Sequence, residues 1–281
     1  MKSIELYSHA KINLRLDVLD KRPDGYHEIR TVFLKVSLKD ELSINISKSD
    51  IKVACDNQQV PANEGNLAYT AARTILNRYN IKEGVSIAIK KNIPIASGLG
   101  GGSSNAASTL MGINRLFGLE AGTQELMEMG KDIGADVPFF IFGNTALATG
   151  IGEKLKKLEL IPELWMLLVT PSIQISTAWA YSNLKMGLTK RPINTTIHNR
   201  ITHLSEIITM LSNDLERVAI PRYPIIQTIK KELLNKGAKG SLMSGSGSTV
   251  FGIFTSEDEA KEAYTRFKDH NNWQMSVCRN I

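Results

Sequence analysis

Only two cysteines, Cys55 and Cys278, occur among the 281 residues. They form neither a disulfide framework nor a metal-like spacing, so the chemistry is expected to rest on other side chains. No run approaches the ~18 apolar residues that a membrane-spanning helix needs. The N-terminal Met1-Lys2-Ser3-Ile4-Glu5-Leu6 also lacks the apolar stretch of a secretory signal. The expectation is a cytoplasmic protein with no membrane partner. Aromatic residues make up 6% of the chain and are not interleaved with Lys/Arg runs, which argues against an RNA-binding module and any nucleic-acid partner. No dedicated carboxylate cluster stands out, so no protein ligand is assigned to a metal.

What is present is an ordinary globular composition, 42% apolar and 22% charged, long enough for one or two domains. The formal net charge of +6 suits anionic ligands such as nucleotides. The positive charges are scattered. The densest places, Lys154-Leu155-Lys156-Lys157 and Lys230-Lys231, read as solvated faces.

Ile12, Leu14, Leu16 and Val18 alternate with Asn13, Arg15 and Asp17, the pattern of a half-buried strand. Arg22-Pro23-Asp24-Gly25 reads as a turn. Further alternation follows over Val32–Leu38 and Leu42–Ile46. Leu67, Ala71, Ile75 and Tyr79 predict a helix, and Val85, Ile87 and Ile89 a strand running into Pro94. Helices are expected after the glycines at 98–102, with Gly118 as C-cap, and over Thr123–Ile133. Thr145–Leu158 reads as a hairpin around Gly150-Ile151-Gly152, and Trp165–Val169 as a buried strand. Residues 186 to 200, polar and containing Pro192, read as a connection. Beyond them come a helix over Pro224–Lys236 ended by Gly237, a strand over Val250–Phe254, and a capping box at Ser256-Glu257-Asp258-Glu259. A last strand carries Trp273, Met275 and Val277. Strands and helices interleave irregularly, which predicts an α+β fold. A boundary near residues 160 to 170 divides the chain into 1–160 and 161–281.

The informative window is Pro94-Ile95-Ala96-Ser97-Gly98-Leu99-Gly100-Gly101-Gly102-Ser103-Ser104-Asn105-Ala106-Ala107. It lies between a strand and a helix. Glycines let the backbone take positive φ and approach a ligand closely. Inward-pointing amides and the helix N-terminus then favour an anion. Ser103 and Ser104 can cap the helix, donate to a phosphate or ligate Mg²⁺. No Lys lies between Gly98 and Ser104, which excludes a P-loop, and Ser103 stands where a dinucleotide fingerprint needs its third Gly. The remaining readings are a phosphate cradle and a glycine hinge with a Ser cap.

This window resembles the central motif of the GHMP kinase superfamily, Pro-x-x-x-Gly-Leu followed by Gly, Ser and small residues. The form here is longer, with two extra glycines and Asn105, and resembles one branch whose substrate carries a cytidine diphosphate tail in the non-mevalonate route to isoprenoids. Ala10-Lys11-Ile12-Asn13-Leu14 with Arg22-Pro23-Asp24-Gly25-Tyr26-His27-Glu28 is similar to that branch's N-terminal motif. Ile133-Gly134-Ala135-Asp136-Val137-Pro138-Phe139-Phe140 is similar to its catalytic segment, and Ser244-Gly245-Ser246-Gly247-Ser248-Thr249 to the superfamily's third motif. The motifs follow the family's order between residues 10 and 254.

The resemblance implies a two-lobed GHMP kinase fold with the active site in the cleft between lobes. It implies ATP with Mg²⁺ as cofactors, and a small-molecule cytidine-diphosphate substrate. Pro94, Gly98, Leu99, Gly100, Gly101, Gly102, Ser103 and Ser104 would hold ATP. Asp136 would act as base, although taken alone an Asp beside Pro138 is more often a turn or N-cap residue. Lys11, sharing a strand face with Asn13, would keep Asp136 ionised and polarise the acceptor hydroxyl. Asn13 would contact the substrate, Tyr26 would stack on cytosine, His27 would read its edge, and Tyr181 would supply a second aromatic. The other readings are a homoserine, mevalonate or sugar kinase of the same superfamily, and a non-catalytic relative that senses a small molecule. The sequence leaves the oligomeric state open.

Overall fold

The computed structural model describes residues 2–160, 162–184, 199–267 and 272–281. The expected connection over 186 to 200 lies almost wholly outside them. The chain divides into two compact units that are not contiguous in sequence. Unit 1 holds Met1–Ala10, Lys39–Ile95 and Gly100–Asn144; unit 2 holds Lys11–Leu38, Ala96–Leu99 and Thr145–Ile281. Two long strands, β1 (Ser3–Lys21) and β2 (His27–Ser47), run through both.

Unit 1 adds β3 (Lys52–Cys55), α1 (Leu67–Arg78), β4 (Gly84–Lys90), α2 (Gly101–Phe117), α3 (Thr123–Ile133) and α4 (Val137–Phe142). β4 pairs antiparallel with the second half of β2, Ile44 opposite Ile87, and parallel with β3, Val53 opposite Ile87. Asn66 caps α1 by accepting from the Ala68 amide. The helix buries Ala68, Ala71, Ala72, Ile75 and Leu76, the stripe expected of its period. α2 buries Ala106, Ala107, Leu110 and Ile113. It lies so close to the sheet that a Cβ on Gly112 would meet Leu6 Cδ1 at 2.5 Å and Ile44 Cδ1 at 2.8 Å.

Unit 2 contains β5 (Thr145–Thr149), β6 (Lys154–Lys157), β7 (Glu159–Leu160), β8 (Trp165–Thr170), α5 (Thr177–Ser182), β9 (Arg200–Ile201) and α6 (Leu204–Met210). After these come β10 (Ser212–Asn213), α7 (Glu216–Arg222), α8 (Ile225–Asn235), β11 (Gly240–Met243), β12 (Val250–Phe254), α9 (Glu257–Arg266) and β13 (Gln274–Arg279). β5 and β6 form the expected hairpin, with positive φ at Gly150 and Gly152, and β5 pairs with Thr31–Leu34 of β2. An antiparallel sheet in the order β11-β12-β8-β13 carries α8 and α9. Its core gathers Leu167, Val169, Ile226, Ile229, Leu233, Val250, Phe254 and Phe267.

Three local expectations change. The strand over 12–18 is half-buried only in its later part: Arg15 and Asp17 are partly exposed between buried Leu14, Leu16 and Val18, whereas Asn13 is 1% exposed and Lys11, just before it, 4%. Ser103 and Ser104 do not cap α2, because the helix begins at Gly101 and its N-cap is Gly100 at φ +69°. The capping box before α9 is displaced by one residue. Ser256 accepts from the Glu259 amide as expected, but the Glu259 carboxylate takes the Thr255 N–H and hydroxyl instead of the Ser256 N–H.

Candidate active site

In unit 1 the site begins where β4 turns toward the glycines. Asp40, in the second half of β2, is fully buried and accepts four hydrogen bonds. Its Oδ1 takes the Asn92 and Ile93 amides at 2.8 Å each. Its Oδ2 takes Lys91 Nζ at 2.7 Å and Asn105 Nδ2 at 3.0 Å. Lys91, with a side chain 6% exposed, also donates to the Ile93 carbonyl. This cluster ties β2, the turn at 91–93 and α2 together just before Pro94. No local pattern marks Asp40 or Lys91, because all four partners of Asp40 lie more than fifty residues away in the chain.

The loop itself takes left-handed conformations at Ala96 (φ +51°), Gly98 (+79°) and Gly100 (+69°). Gly100 starts α2 by accepting from the Ser104 amide at 2.9 Å. The amides of Gly101, Gly102 and Ser103 therefore occupy the first turn, where a helix supplies no acceptor, and the first turn carries no acidic side chain. Three amides and the positive end of the helix dipole suit a phosphate. Gly101 has no room for a side chain: a Cβ would lie 2.9 Å from Lys91 Nζ and 3.0 Å from Ile93 Cγ2.

Asp136 precedes α4 in a right-handed conformation, and its carboxylate makes no capping bond to that helix. The capping reading is thus removed. The segment leading to it reaches the first turn of α2, since a Cβ on Gly134 would lie 3.9 Å from Ser103 Oγ.

Unit 2 brings together Lys11, Asn13, Gly98, Leu99 and the glycine-serine loop of 244–249. The Lys11 amide donates to the Leu99 carbonyl at 3.0 Å, so β1 and the glycine loop are in register. Lys11 Nζ donates to Asn13 Oδ1 at 2.7 Å and lies 5.0 Å from the centre of the Phe33 ring. Asn13 Nδ2 donates to Thr31 Oγ1 at 2.7 Å, and that hydroxyl donates to the Arg15 carbonyl. The buried head groups of Lys11, Asn13 and Thr31 are each hydrogen-bonded, which offsets the cost of hiding them. The Ser244 hydroxyl donates to the Gly98 carbonyl and the Thr249 amide to the Ser97 carbonyl, closing the second glycine loop on the first. A Cβ on Gly98 would lie 2.1 Å from the Ser244 carbonyl oxygen.

The same unit pairs His27 with Tyr181, ring centres 5.2 Å apart at 33°. Burial, and next the charge of Lys21, hold the His27 imidazolium below its usual range. The neighbouring Tyr26 ring is 59% exposed. No group of three or more metal-ligating side chains occurs among the described residues, and no described helix is long and apolar enough to cross a membrane.

Two family descriptions match the chain: GHMP kinases N terminal domain over residues 66–144, and GHMP kinases C terminal over 195–272. The 4-diphosphocytidyl-2-C-methyl-D-erythritol kinase of Geobacter metallireducens is 47% identical over the full length of both chains. The chain belongs to the 4-diphosphocytidyl-2-C-methyl-D-erythritol kinase family of GHMP kinases. A crystal structure of 4-(cytidine 5'-diphospho)-2C-methyl-D-erythritol kinase is similar with a TM-score of 0.82 at 31% identity, covering 98% of this chain and 99% of that one. Homoserine kinase from Cytophaga hutchinsonii shares the fold alone, with a TM-score of 0.73 at 20% identity over 100% of this chain and 95% of that one. The mixed α/β architecture expected from the sequence is therefore the GHMP kinase fold, and the chain is a small-molecule kinase that uses ATP.

Proposed function

We infer that this protein transfers the terminal phosphoryl group of ATP to a hydroxyl of 4-diphosphocytidyl-2-C-methyl-D-erythritol, in the non-mevalonate route to isoprenoid precursors. The observation that carries the reading is full-length identity of 47% to a kinase of that name. The family matches at 66–144 and 195–272 fall on either side of a division into domains 1–160 and 161–281. A cytoplasmic location goes with the same reading.

The roles follow from the chemistry each group can perform. The amides of Gly101, Gly102 and Ser103, with Pro94, Gly98, Leu99, Gly100 and Ser104 shaping the turn, hold the ATP phosphates. Asp136 accepts the hydroxyl proton as the oxygen attacks the γ-phosphorus. The bond to the β,γ-bridging oxygen breaks and ADP leaves with its electron pair. Lys11, kept in place by Asn13 and Phe33, supplies positive charge to that centre. Such a reaction is catalysed chiefly by positioning and electrostatics. Asn13 contacts the substrate, His27 and Tyr181 grip the cytosine, and Tyr26 adds a further ring.

Mg²⁺ fits this donor set as an ion carried on the nucleotide, keeping most of its water and using one or two protein oxygens. Ser103 and Ser104, in the first turn of α2, and Asp136 would supply those protein oxygens. When bound, the ion neutralises phosphate charge.

The test is ATP turnover with 4-diphosphocytidyl-2-C-methyl-D-erythritol, with mevalonate and homoserine as controls. Turnover of the first substrate only is expected. Preference for either control would overturn the assignment. Asp136→Asn should lower kcat by about 10²–10⁴-fold while ATP affinity stays within a few-fold, and retention of a tenth of the rate would remove Asp136 from the role.

A further inference from the structure

We propose that Asn213, which none of the site motifs contains, is a positioning residue for the Lys11–Asn13 pair. This rests on the reading that Lys11 and Asn13 belong to the active site.

The residue sits in β10, two residues long, which pairs parallel with β1 through Arg15 opposite Ser212 and Leu16 opposite Asn213. The pairing is extended by the Asp214 amide donating to the Leu16 carbonyl, and by the Val18 amide donating to Asp214 Oδ2, both at 2.9 Å. Residues 212–214 are thus fixed to the strand that carries Lys11 and Asn13.

The Asn213 side chain is buried and points the other way in function, toward the glycine-serine loop. Its Oδ1 accepts from the Leu215 amide at 2.9 Å, which fixes the orientation of the side-chain amide. Its Nδ2 donates both protons to backbone carbonyls, Met243 at 2.8 Å and Gly245 at 2.8 Å. Nearby, Glu216 accepts from the Met243 amide and pairs with Lys230, so the end of β11 is held on both sides.

Gly245 is the residue of that loop lying against the polar pair. It takes φ +55°, and a Cβ there would be 3.3 Å from Asn13 Oδ1 and 3.4 Å from Lys11 Nζ. The peptide oxygen that Asn213 holds therefore belongs to the residue packed on the Lys11–Asn13 head groups. One side chain, anchored to β1, sets the height of the loop above two side chains of the same strand. Removing it orphans two buried carbonyls and frees Gly245 to shift. A displacement of ~1 Å at such a site can cost ~10²-fold in rate.

The experiment compares kcat and both KM values for wild type, Asn213→Ala, Asn213→Asp and Leu233→Ala. The last truncates the core of unit 2 away from the loop and serves as a control for lost stability. Asn213→Ala should lose about 30- to 100-fold in kcat, with both KM values within about 3-fold. Leu233→Ala should lose activity only in proportion to its unfolded fraction. Asn213→Asp faces two carbonyls with a carboxylate. Protonation restores one donor, so its kcat relative to wild type should rise as the pH falls from about 8 to about 6. Should Asn213→Ala fail to fold, Asn213→Ser, which keeps one hydroxyl donor, carries the same comparison. A kcat loss no larger than the unfolded fraction, a change confined to KM, or a flat pH ratio for Asn213→Asp would overturn the proposal. Near-wild-type turnover by Lys11→Ala would instead overturn the reading of the site beneath it.

Discussion

Replacing Asp40 by Asn tests whether the buried cluster at the entrance to the glycine loop is held by charge or only by shape. The carboxylate accepts from the Asn92 and Ile93 amides on one oxygen, and from Lys91 and Asn105 on the other. An asparagine can keep the first pair with its carbonyl oxygen. Its NH₂ group then faces the Lys91 ammonium and the Asn105 amide, donor against donor, and leaves the lysine charge uncompensated where its side chain is 6% exposed. Breaking a buried ion pair from one side costs about 3–5 kcal/mol. At ~2–4 °C per kcal/mol for a chain of this size, the thermal midpoint should fall by roughly 6–20 °C. Adding Lys91→Met should recover part of the loss, because it removes both the stranded charge and one opposed donor. The double variant is therefore expected to melt above Asp40→Asn alone. Circular dichroism melts of wild type, both single variants and the double variant supply the cycle. A single variant within 2 °C of wild type, or a double variant less stable than Asp40→Asn, would refute the account.

Gly98→Ala should damage the join between the two glycine-rich loops, because its Cβ would need to occupy space 2.1 Å from the Ser244 carbonyl oxygen at a φ of +79°. Loss of ATP turnover by more than tenfold is expected, and a variant with unchanged kinetics would show the loops to be less tightly closed than they look. His27 should titrate below the ordinary imidazole range, and Lys21→Ala, by removing the second of the two causes, should move its midpoint upward in NMR titration. A downward or absent movement counts against that electrostatic coupling. Because the folded state disfavours the protonated ring, stability linked to His27 is fully present above the unfolded value near 6.5 and is lost as the pH falls from there toward the folded value. The cytidylyl substrate should be preferred over its uridylyl counterpart by about 5- to 150-fold, the effect of one mismatched buried polar group, and His27→Ala should erode that ratio more than it erodes ATP affinity. Equal use of the two substrates by the wild type would argue against a pyrimidine-reading pocket.

Elements with a local cause were legible in the sequence. The helix over Thr123–Ile133, the hairpin at Gly150–Gly152 and the Gly118 cap follow from periodicity and from glycines in turns. The glycine window was placed correctly between a strand and a helix, but its helix starts two residues earlier than propensity suggests. Glycine is disfavoured inside a helix. Here the crowding of Gly101 against Lys91 and Ile93 outweighs that preference. Alternation marks the polar face of β1 but carries no information about the partners that bury it. Lys11 and Asn13 are buried because they bond to each other, and Asn13 to Thr31. Asp40 and Asn213 were invisible for a related reason. Both act through partners distant in sequence, and neither interrupts the pattern of its own strand.

Residues near the C-terminal end of the chain return to β2. Val36 bridges Asn280, the Arg279 amide donates to Ser37 Oγ, and the Ile281 amide donates to the Lys35 carbonyl. Contacts that close such long stretches of chain pay their loop entropy before they gain any packing, and they slow folding. During synthesis, unit 2 must wait with its first strands made and its sheet unfinished until residue 280 leaves the ribosome. The uncovered Lys35–Ser37 stretch of β2 in that interval is where misassociation would begin, so the yield of folded enzyme should depend on temperature and chaperone supply more steeply than its final stability does.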